Sequence, residues 1–279
     1  MLFLILTIPL IFAFSHLFKF AQVKKCEAVP VITANYFVVS LVLLVYHVFN
    51  GFPEISKGMV GLGVLTGCVF ILALYSYTKG LEFISVNLCM LSFRLSVVIP
   101  IIAAVLLWGE VLSMSKILGI ILCVIAIVFM SSSESVSKEV NLKKVIVVTL
   151  LIFILQGLAQ ILTQAVHYLN FDNVRQFILM LITTTAMFLG ICIMIFNRKK
   201  ATKREIKMGA FIGVVNAVCL VMILKTLTLV SASVFWPVSG CSLVVLDILA
   251  ARFLWKEAMN YKIVLGGCFA VSSIYIILS

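Results

Sequence analysis

The chain has 279 residues, of which 64% are hydrophobic and 11% charged, with a mean hydropathy of +1.27. Water-soluble domains run near 45–50% apolar and about 25% charged, so too little polar surface remains here to cover a soluble core, and composition predicts an integral membrane protein. Most of the excess charge of +11 sits in short connectors between apolar runs, a pattern of orientation in a bilayer and not of a nucleic-acid footprint.

A spanning helix needs about 20 mostly apolar residues. Ten segments qualify, at 2–20, 30–50, 58–79, 84–107, 114–132, 143–168, 173–196, 206–226, 229–252 and 260–278. The first lacks a leading basic stretch and a small-residue cleavage site, so it reads as a retained helix and not a signal peptide. It carries His16 and Lys19 one turn apart near its end. Lys19 is expected to snorkel to the interface, while His16 stays open between a packed polar residue and a proton-linked one. Helix two opens with Asn35 and Tyr36, and helix three carries Gly63 and Gly67 in "GLGVLTG".

Helix four contains "MLSFRLSVVIP", with Arg94 near mid-helix and no acidic residue within ten positions on either side. An arginine at a helix centre costs about 2.5–3.5 kcal/mol on insertion scales and cannot escape by deprotonation. It must face the bundle interior, where Asn87 shares roughly its face. The alternatives are a salt bridge to Asp247, bonds to helix carbonyls, or reception of an anionic group of a substrate, which a guanidinium fork suits.

"SSSESVSKEVNLKK" (131–144) is the longest polar stretch and divides the chain near its middle. Helix six follows with Gln156, Gln160 and Gln164 at i, i+4 and i+8 in "QGLAQILTQ", a stripe about 12 Å long. Lipid offers these amides no partner, so they serve either as interhelical glue or as a substrate lining. Helix eight carries Gly209 and Gly213 in "GAFIG", with Asn216 one turn beyond. Helix nine carries "FWPVSG", where Pro237 frees the carbonyl of residue 233 and Trp236 either flanks a substrate or packs. Asp247, near Arg252, is the clear intramembrane carboxylate and a candidate for proton coupling or a local salt bridge.

No cofactor or metal set is legible. There is no G-x-x-x-x-G-K-[ST] loop, no H-E-x-x-H and no Cys/His cluster, which argues against an enzyme and against direct ATP drive. Seven of the eight cysteines fall within apolar runs without metal-type spacing and read as small hydrophobes, while Cys26 lies in a polar segment.

The two halves look alike. Gly63 and Gly67 match Gly209 and Gly213, and Ser85 matches Ser231, all 146 positions apart. "LLWGEVLSMSKILG" matches "FLWKEAMNYKIVLG", pairing Trp108 with Trp255, Glu110 with Glu257 and Gly119 with Gly266 at 147. Five helices per half is an odd number, so the second copy enters from the opposite side as an inverted repeat. The glycine pairs read as close helix crossings of the small-xxx-small kind. The repeated Glu110 and Glu257 lie at helix boundaries and read as structural, for capping or for holding a connector.

"LALYSYTKGLEFISVNLCML…AAVLLWGEVLSMSKILGIILCVIAIVFM" resembles the drug/metabolite transporter superfamily, EamA type. The resemblance implies an all-α integral membrane protein of ten transmembrane helices, in two inverted five-helix repeats around a central cavity. The repeats would be 1–132 and 143–279, joined by the connector 133–142. That family often has Pro about thirteen residues before the Glu of its apolar-G-E step. Here Val97 and Val244 stand there, with Pro100 and Pro237 nearby, so any helix kink is displaced.

The expected function is a secondary transporter moving a small polar or amphipathic metabolite by alternating access. An amino acid is the first candidate, with export the commoner direction in the family. A broad-specificity drug exporter and a membrane-embedded enzyme or non-transporting partner subunit are the rivals. The site candidates are Arg94, Gln156, Gln160, Gln164, Asn87, Tyr36, Asn35, Asn216, Trp236 and His16, with Asp247 for coupling. The partners are a small-molecule substrate and the lipid bilayer, with no nucleic acid, and the chain is a monomer or a homodimer. The expected location is the cell membrane, inner or plasma, as a multi-pass protein. Placing the N-terminus outside puts sixteen Lys and Arg on the inner connectors and four on the outer, which fits the positive-inside rule. Many relatives are thought to have both termini inside, so the charge bias conflicts with that norm.

Overall fold

The computed structural model describes residues 2–83, 92–131, 142–253 and 261–278. The described residues form ten α-helices: α1 (Leu2–Val23), α2 (Ala28–Asn50), α3 (Lys57–Phe83), α4 (Val98–Trp108), α5 (Met114–Ser131), α6 (Leu142–Tyr168), α7 (Arg175–Phe196), α8 (Lys203–Leu227), α9 (Ala232–Phe253) and α10 (Tyr261–Leu278), with a 3-10 turn at Asp172–Val174. Each falls on one of the apolar runs. Six of them (α1, α2, α3, α6, α7 and α8) are long and apolar enough to cross a membrane, and α4, α5 and α10 carry shorter apolar stretches. Helices are the economical answer in lipid because every backbone N–H and C=O is bonded within the segment.

The chain divides into two compact units. One joins residues 2–78 to 162–228 and is the α2–α7–α8 unit, with α1, most of α3 and the end of α6. The other joins 79–161 to 229–279 and is the α5–α9–α10 unit, with α4 and most of α6. Each unit therefore draws helices from both halves of the sequence.

In the first unit α2 is central, packed on α7 and on α8, while α1 also packs on α8. Phe18, Val31, Ile32, Tyr36, Ile71 and Ile212 form a buried core there. The polarity of α2 is opposite to that of a soluble surface helix. Thr33, Asn35, Ser40 and His47 are buried, while Phe37, Leu41, Leu44 and Val48 are exposed along one stripe. Apolar surface outside and polar groups inside is the arrangement that lipid imposes.

Glycines set the crossings of this unit. A Cβ at Gly67 of α3 would meet the Ile182 carbonyl oxygen at 2.5 Å and Thr185, and one at Gly63 would meet Leu181. A Cβ at Gly213 of α8 would meet the Asn35 carbonyl oxygen at 2.7 Å and Val38, and one at Gly209 would meet the Val31 carbonyl and Ala34. The partners correspond in register. Ile182 is 147 positions after Asn35, Thr185 is 147 after Val38, and Leu181 is 147 after Ala34. Both glycine pairs thus mark close backbone crossings, as their spacing predicts.

Three turns in this unit end their helices in one way. Lys25, Asn170 and Arg198 have φ of 58°, 59° and 51°. At each, the left-handed residue bonds back to the third residue before it, and the next residue bonds to the fifth before it, one position further back. The pairs are Lys25 N–H to Gln22 and Cys26 N–H to Ala21, Asn170 N–H to His167 and Phe171 N–H to Val166, and Arg198 N–H to Ile195 and Lys199 N–H to Met194. This is the Schellman C-cap, whose left-handed position favours Gly or Asn. For a residue with an ordinary side chain that conformation costs about 1–2 kcal/mol.

In the α5–α9–α10 unit, α5 packs on α10, and α9 packs on α4, α5 and α10. Gly119 of α5 admits the Ile277 side chain. Ser273 donates to the Gly119 carbonyl at 2.7 Å and accepts from the Cys241 thiol at 3.6 Å. The Cys123 thiol donates to the Pro237 carbonyl at 3.9 Å. Cys123, Cys219 and Cys241 are buried, as small hydrophobes are, while Cys192 and Cys268 are exposed; all seven cysteines of the described residues are unbridged.

Candidate functional site

Helix four is interrupted beside its arginine. A helical turn over 92–95 is followed by a break at Ser96 and Val97, and α4 resumes at Val98. Pro100 explains the break. It has no N–H to give the carbonyl four residues earlier, that of Ser96, and its ring crowds that carbonyl. Ile99 N–H takes the Ser96 oxygen instead at 3.0 Å, and Val97 N–H takes the Arg94 oxygen at 3.3 Å, both in the tighter i to i+3 pattern. The kink is thus displaced onto the stretch before Pro100, as the proline pattern predicts. Arg94 stands at the break, 8% exposed, with its guanidinium carbon 5.8 Å from the centroid of Phe93. The permanent charge is buried, as expected of a mid-helix arginine that cannot reach the interface.

In the same unit Gly157 of α6 receives the side chain of Ile99. Gln156 and Gln160 lie on either side of Gly157 along α6, both half-buried, and the Gln160 Oε1 is buried with no hydrogen-bond partner. Trp236 is buried edge-on to Phe235, their centroids 4.8 Å apart, and its carbonyl accepts from Ser239 Oγ at 3.1 Å. Asp247 lies on α9, but its side chain is outside the described residues, as is the whole of Asn87.

Glu110 does what its repeated position implied. It lies just past the end of α4, and its carboxylate accepts from the backbone N–H of Ala232 and of Ser233, each at 3.1 Å. The first N–H groups of a helix have no partner within it, and an anion there also meets the positive end of the helix dipole. The first half of the sequence thereby caps a helix of the second. Glu257 is outside the described residues.

The α2–α7–α8 unit holds the other candidates. Asn216 Nδ2 donates to Asn35 Oδ1 at 3.1 Å, which joins two candidates that the sequence could not pair. Gly213, one turn before Asn216, is what brings α8 close enough to α2. Asn35 is 0% exposed and its Nδ2 has no partner, so one amide donor is left over inside the unit. Tyr36 is buried among the core side chains. Gln164, on the last part of α6, is fully buried. The stripe on α6 is therefore graded, buried at Gln164 and half-buried at Gln160 and Gln156. His16 is half-buried, its Nδ1 3.2 Å from the Phe12 carbonyl and its ring against Phe12, so its own helix supplies contacts for it.

Several polar groups of this unit were not singled out by sequence reasoning. Thr7 and Thr226 pair at 2.9 Å between α1 and α8. Ser40 reaches Thr184 at 2.5 Å and Thr183 at 3.3 Å, between α2 and α7. His47 lies between Phe52 and Phe177, with Nδ1 3.1 Å from the Gly51 carbonyl and Nε2 buried without a partner. Single hydroxyls in apolar helices are too common to mark a site. Only the distance of the partner, 143 or more residues away in these pairs, distinguishes them.

A solved crystal structure, of a chain described only as a protein, superimposes with a TM-score of 0.80 over 99% of this chain and 94% of that one, at 11% identity. At that identity the likeness is one of fold. No curated protein matches the chain in sequence. Residues 1–132 match the model of the EamA-like transporter family. With its spanning helices the chain is a multi-pass membrane protein, and its first 132 residues are similar to the EamA-like transporters, a family of the drug/metabolite transporter superfamily.

Proposed function

We propose that the chain is a secondary transporter that carries a small polar metabolite with an anionic group, an amino acid first, by alternating access. The observation that carries this reading is Arg94, a guanidinium buried at a broken helix. A break exposes backbone polar groups, and in membranes irregular backbone is tolerated where it is buried in protein or lines a cavity. A guanidinium kept there at an insertion cost of about 2.5–3.5 kcal/mol suits a ligand-binding role, because a planar fork binds a carboxylate through two parallel hydrogen bonds. Gln160, with its unpartnered oxygen, and Gln156 supply further polar groups in the same unit.

Two inverted repeats, 1–132 and 143–279, belong to the same proposal. The register of the glycine crossings supports them, since α3 meets α7 as α8 meets α2, at matching positions. Export, and an outside N-terminus on the charge bias, complete the reading. Labelling Cys26 from the cytoplasmic side checks the orientation, and reaction from outside alone reverses it.

The test is reconstitution of the pure protein in liposomes with labelled amino acids and their decarboxylated amines. Arg94→Lys keeps the charge and loses the fork, so affinity for the carboxylate substrate falls more than folded yield does. Arg94→Ala nearly abolishes binding. Wild-type affinity in Arg94→Ala sinks the proposal. Rescue of an Arg94→Ala folding defect by Asp247→Ala assigns the arginine to an ion pair instead.

A further inference from the structure

The α1–α2 and α7–α8 connectors come together at one edge of the α2–α7–α8 unit. Glu27 N–H donates to Glu205 Oε1 at 2.8 Å. Glu205 Oε2 also accepts from the Thr202 N–H and hydroxyl, each at 2.8 Å. Lys199 Nζ bonds Glu27 Oε2 at 2.6 Å. Both acidic side chains of this edge are thereby committed to internal bonds. Around them stand Lys24, Lys25, Arg198, Lys200, Lys203 and Arg204, all exposed.

Three features say that these cations are there for a ligand. Lys25 and Arg198 occupy the left-handed position of their C-caps, where Gly or Asn fits more easily. The α6–α7 turn has the same bonds and uses Asn170. A cation near a helix C-terminus gains something from the dipole, but any nearby position gives that gain without the left-handed backbone. Lys203 and Arg204 open α8, where the helix dipole disfavours positive charge. Local preferences broken several times within one patch mark a functional surface. Beside the cations lie exposed apolar side chains, Phe196 at 90% exposure with Val23, Ile195 and Ile206. A soluble anion has no use for that border, whereas a lipid brings an anionic headgroup and acyl chains together.

We propose that this edge binds the headgroup of an anionic phospholipid of the leaflet it faces, with its acyl chains along Phe196, Ile195 and Ile206. The Glu27–Glu205 latch holds the two connectors in register, so that cations from distant parts of the chain act on one headgroup.

The experiment is thermal unfolding of the full chain in neutral detergent, with phosphatidylglycerol, phosphatidylcholine or glycerol 1-phosphate added. Phosphatidylglycerol is expected to raise the midpoint by several degrees, through preferential binding to the folded state, and rising salt is expected to shrink the shift. Combining Lys25→Asn, Arg198→Asn, Lys200→Gln, Lys203→Gln and Arg204→Gln removes most of that shift. Lys57→Gln with Lys225→Gln, placed elsewhere, keeps it. Should the fivefold variant fail to fold, Lys25→Asn with Arg198→Asn suits the two turns and still weakens the response. The proposal is overturned if phosphatidylcholine or glycerol 1-phosphate gives the same shift, or if the rim variants respond as the native chain does.

Discussion

In the α2–α7–α8 unit, helices meet backbone against side chain at glycines, and hydrogen bonds between side chains of different helices join the crossings: Thr7 to Thr226, Asn35 to Asn216, and Ser40 to Thr183 and Thr184. In the α5–α9–α10 unit the ties described above run mostly from side chain to backbone: Glu110 to the start of α9, Ser273 to the Gly119 carbonyl, and Cys123 to the Pro237 carbonyl. The second unit holds the interrupted helix, α4 with Pro100, and α9 with Pro237 inside it, while in the first unit α1 carries Pro9. Regular helices leave no backbone group to satisfy except at their ends, so their contacts fall to side chains. The difference teaches that one unit is tied through side chains at its helix crossings and the other through backbone groups, among them the first N–H groups of α9, which have no partner within the helix and meet Glu110 instead.

The sharpest break of this comparison is a methyl group. Gly213→Ala places a Cβ 2.7 Å from the Asn35 carbonyl oxygen and 2.8 Å from Val38 Cβ. Neither can give way without moving α2, and a loss of about 3 kcal/mol is expected. Gly240→Ala in the other unit finds its nearest neighbour, Val97, at 3.8 Å, so the better helix propensity of Ala should stabilise by about 0.5–1 kcal/mol. Unfolding of both variants in detergent checks the pair, and equal effects would show that the close approach at Gly213 is not what costs stability.

Next in size is Glu110→Ala, which leaves the Ala232 and Ser233 amides without their carboxylate. A loss of about 2 kcal/mol is expected, with Glu110→Gln intermediate. Hydrogen exchange should quicken at the start of α9 and leave α2 and α8 unchanged. Faster exchange spread evenly through α8 would show that the cap does not act locally.

The smallest effect belongs to the amide pair. Asn216→Leu and Asn35→Leu, taken singly and together, should give a coupling energy of about 0.6 kcal/mol, the usual size for a hydrogen bond between membrane helices. Because Asn35 Nδ2 already lacks a partner, Asn35→Leu is expected to cost less than Asn216→Leu. A reversed order would mean that the spare donor is satisfied.

Much of this fold could be read before any coordinates. Apolar runs gave the helices, because lipid requires unbroken segments. Gly63, Gly67, Gly209 and Gly213 announced close crossings, and the repeated Glu110 announced a structural carboxylate. Pro100 announced that any kink of helix four would be displaced. The partners were not legible. A helix that is apolar all round has no moment to say which side faces which neighbour, so the meeting of α2 with α8, and of Asn35 with Asn216, had no signal. Glu205 was hidden for another reason. The pattern of Thr202 and Glu205 is local, but the bond from Glu27 depends on a turn 178 residues away. Arg94 was conspicuous as a charge, while its surroundings depended on a break that only the backbone displays.

The Glu110 cap also sets a schedule. Its recipient, Ala232, lies 122 residues further along the chain. At a synthesis rate of about 5–20 residues per second, Glu110 waits about 6–24 s before the helix it caps has been made. Thr7 waits longer, for a partner 219 residues away. Through that interval the early helices persist in the bilayer without these later partners, each bonded within itself. The nascent protein is therefore an assembly of finished parts, and the two units close only when the second half of the message has been read.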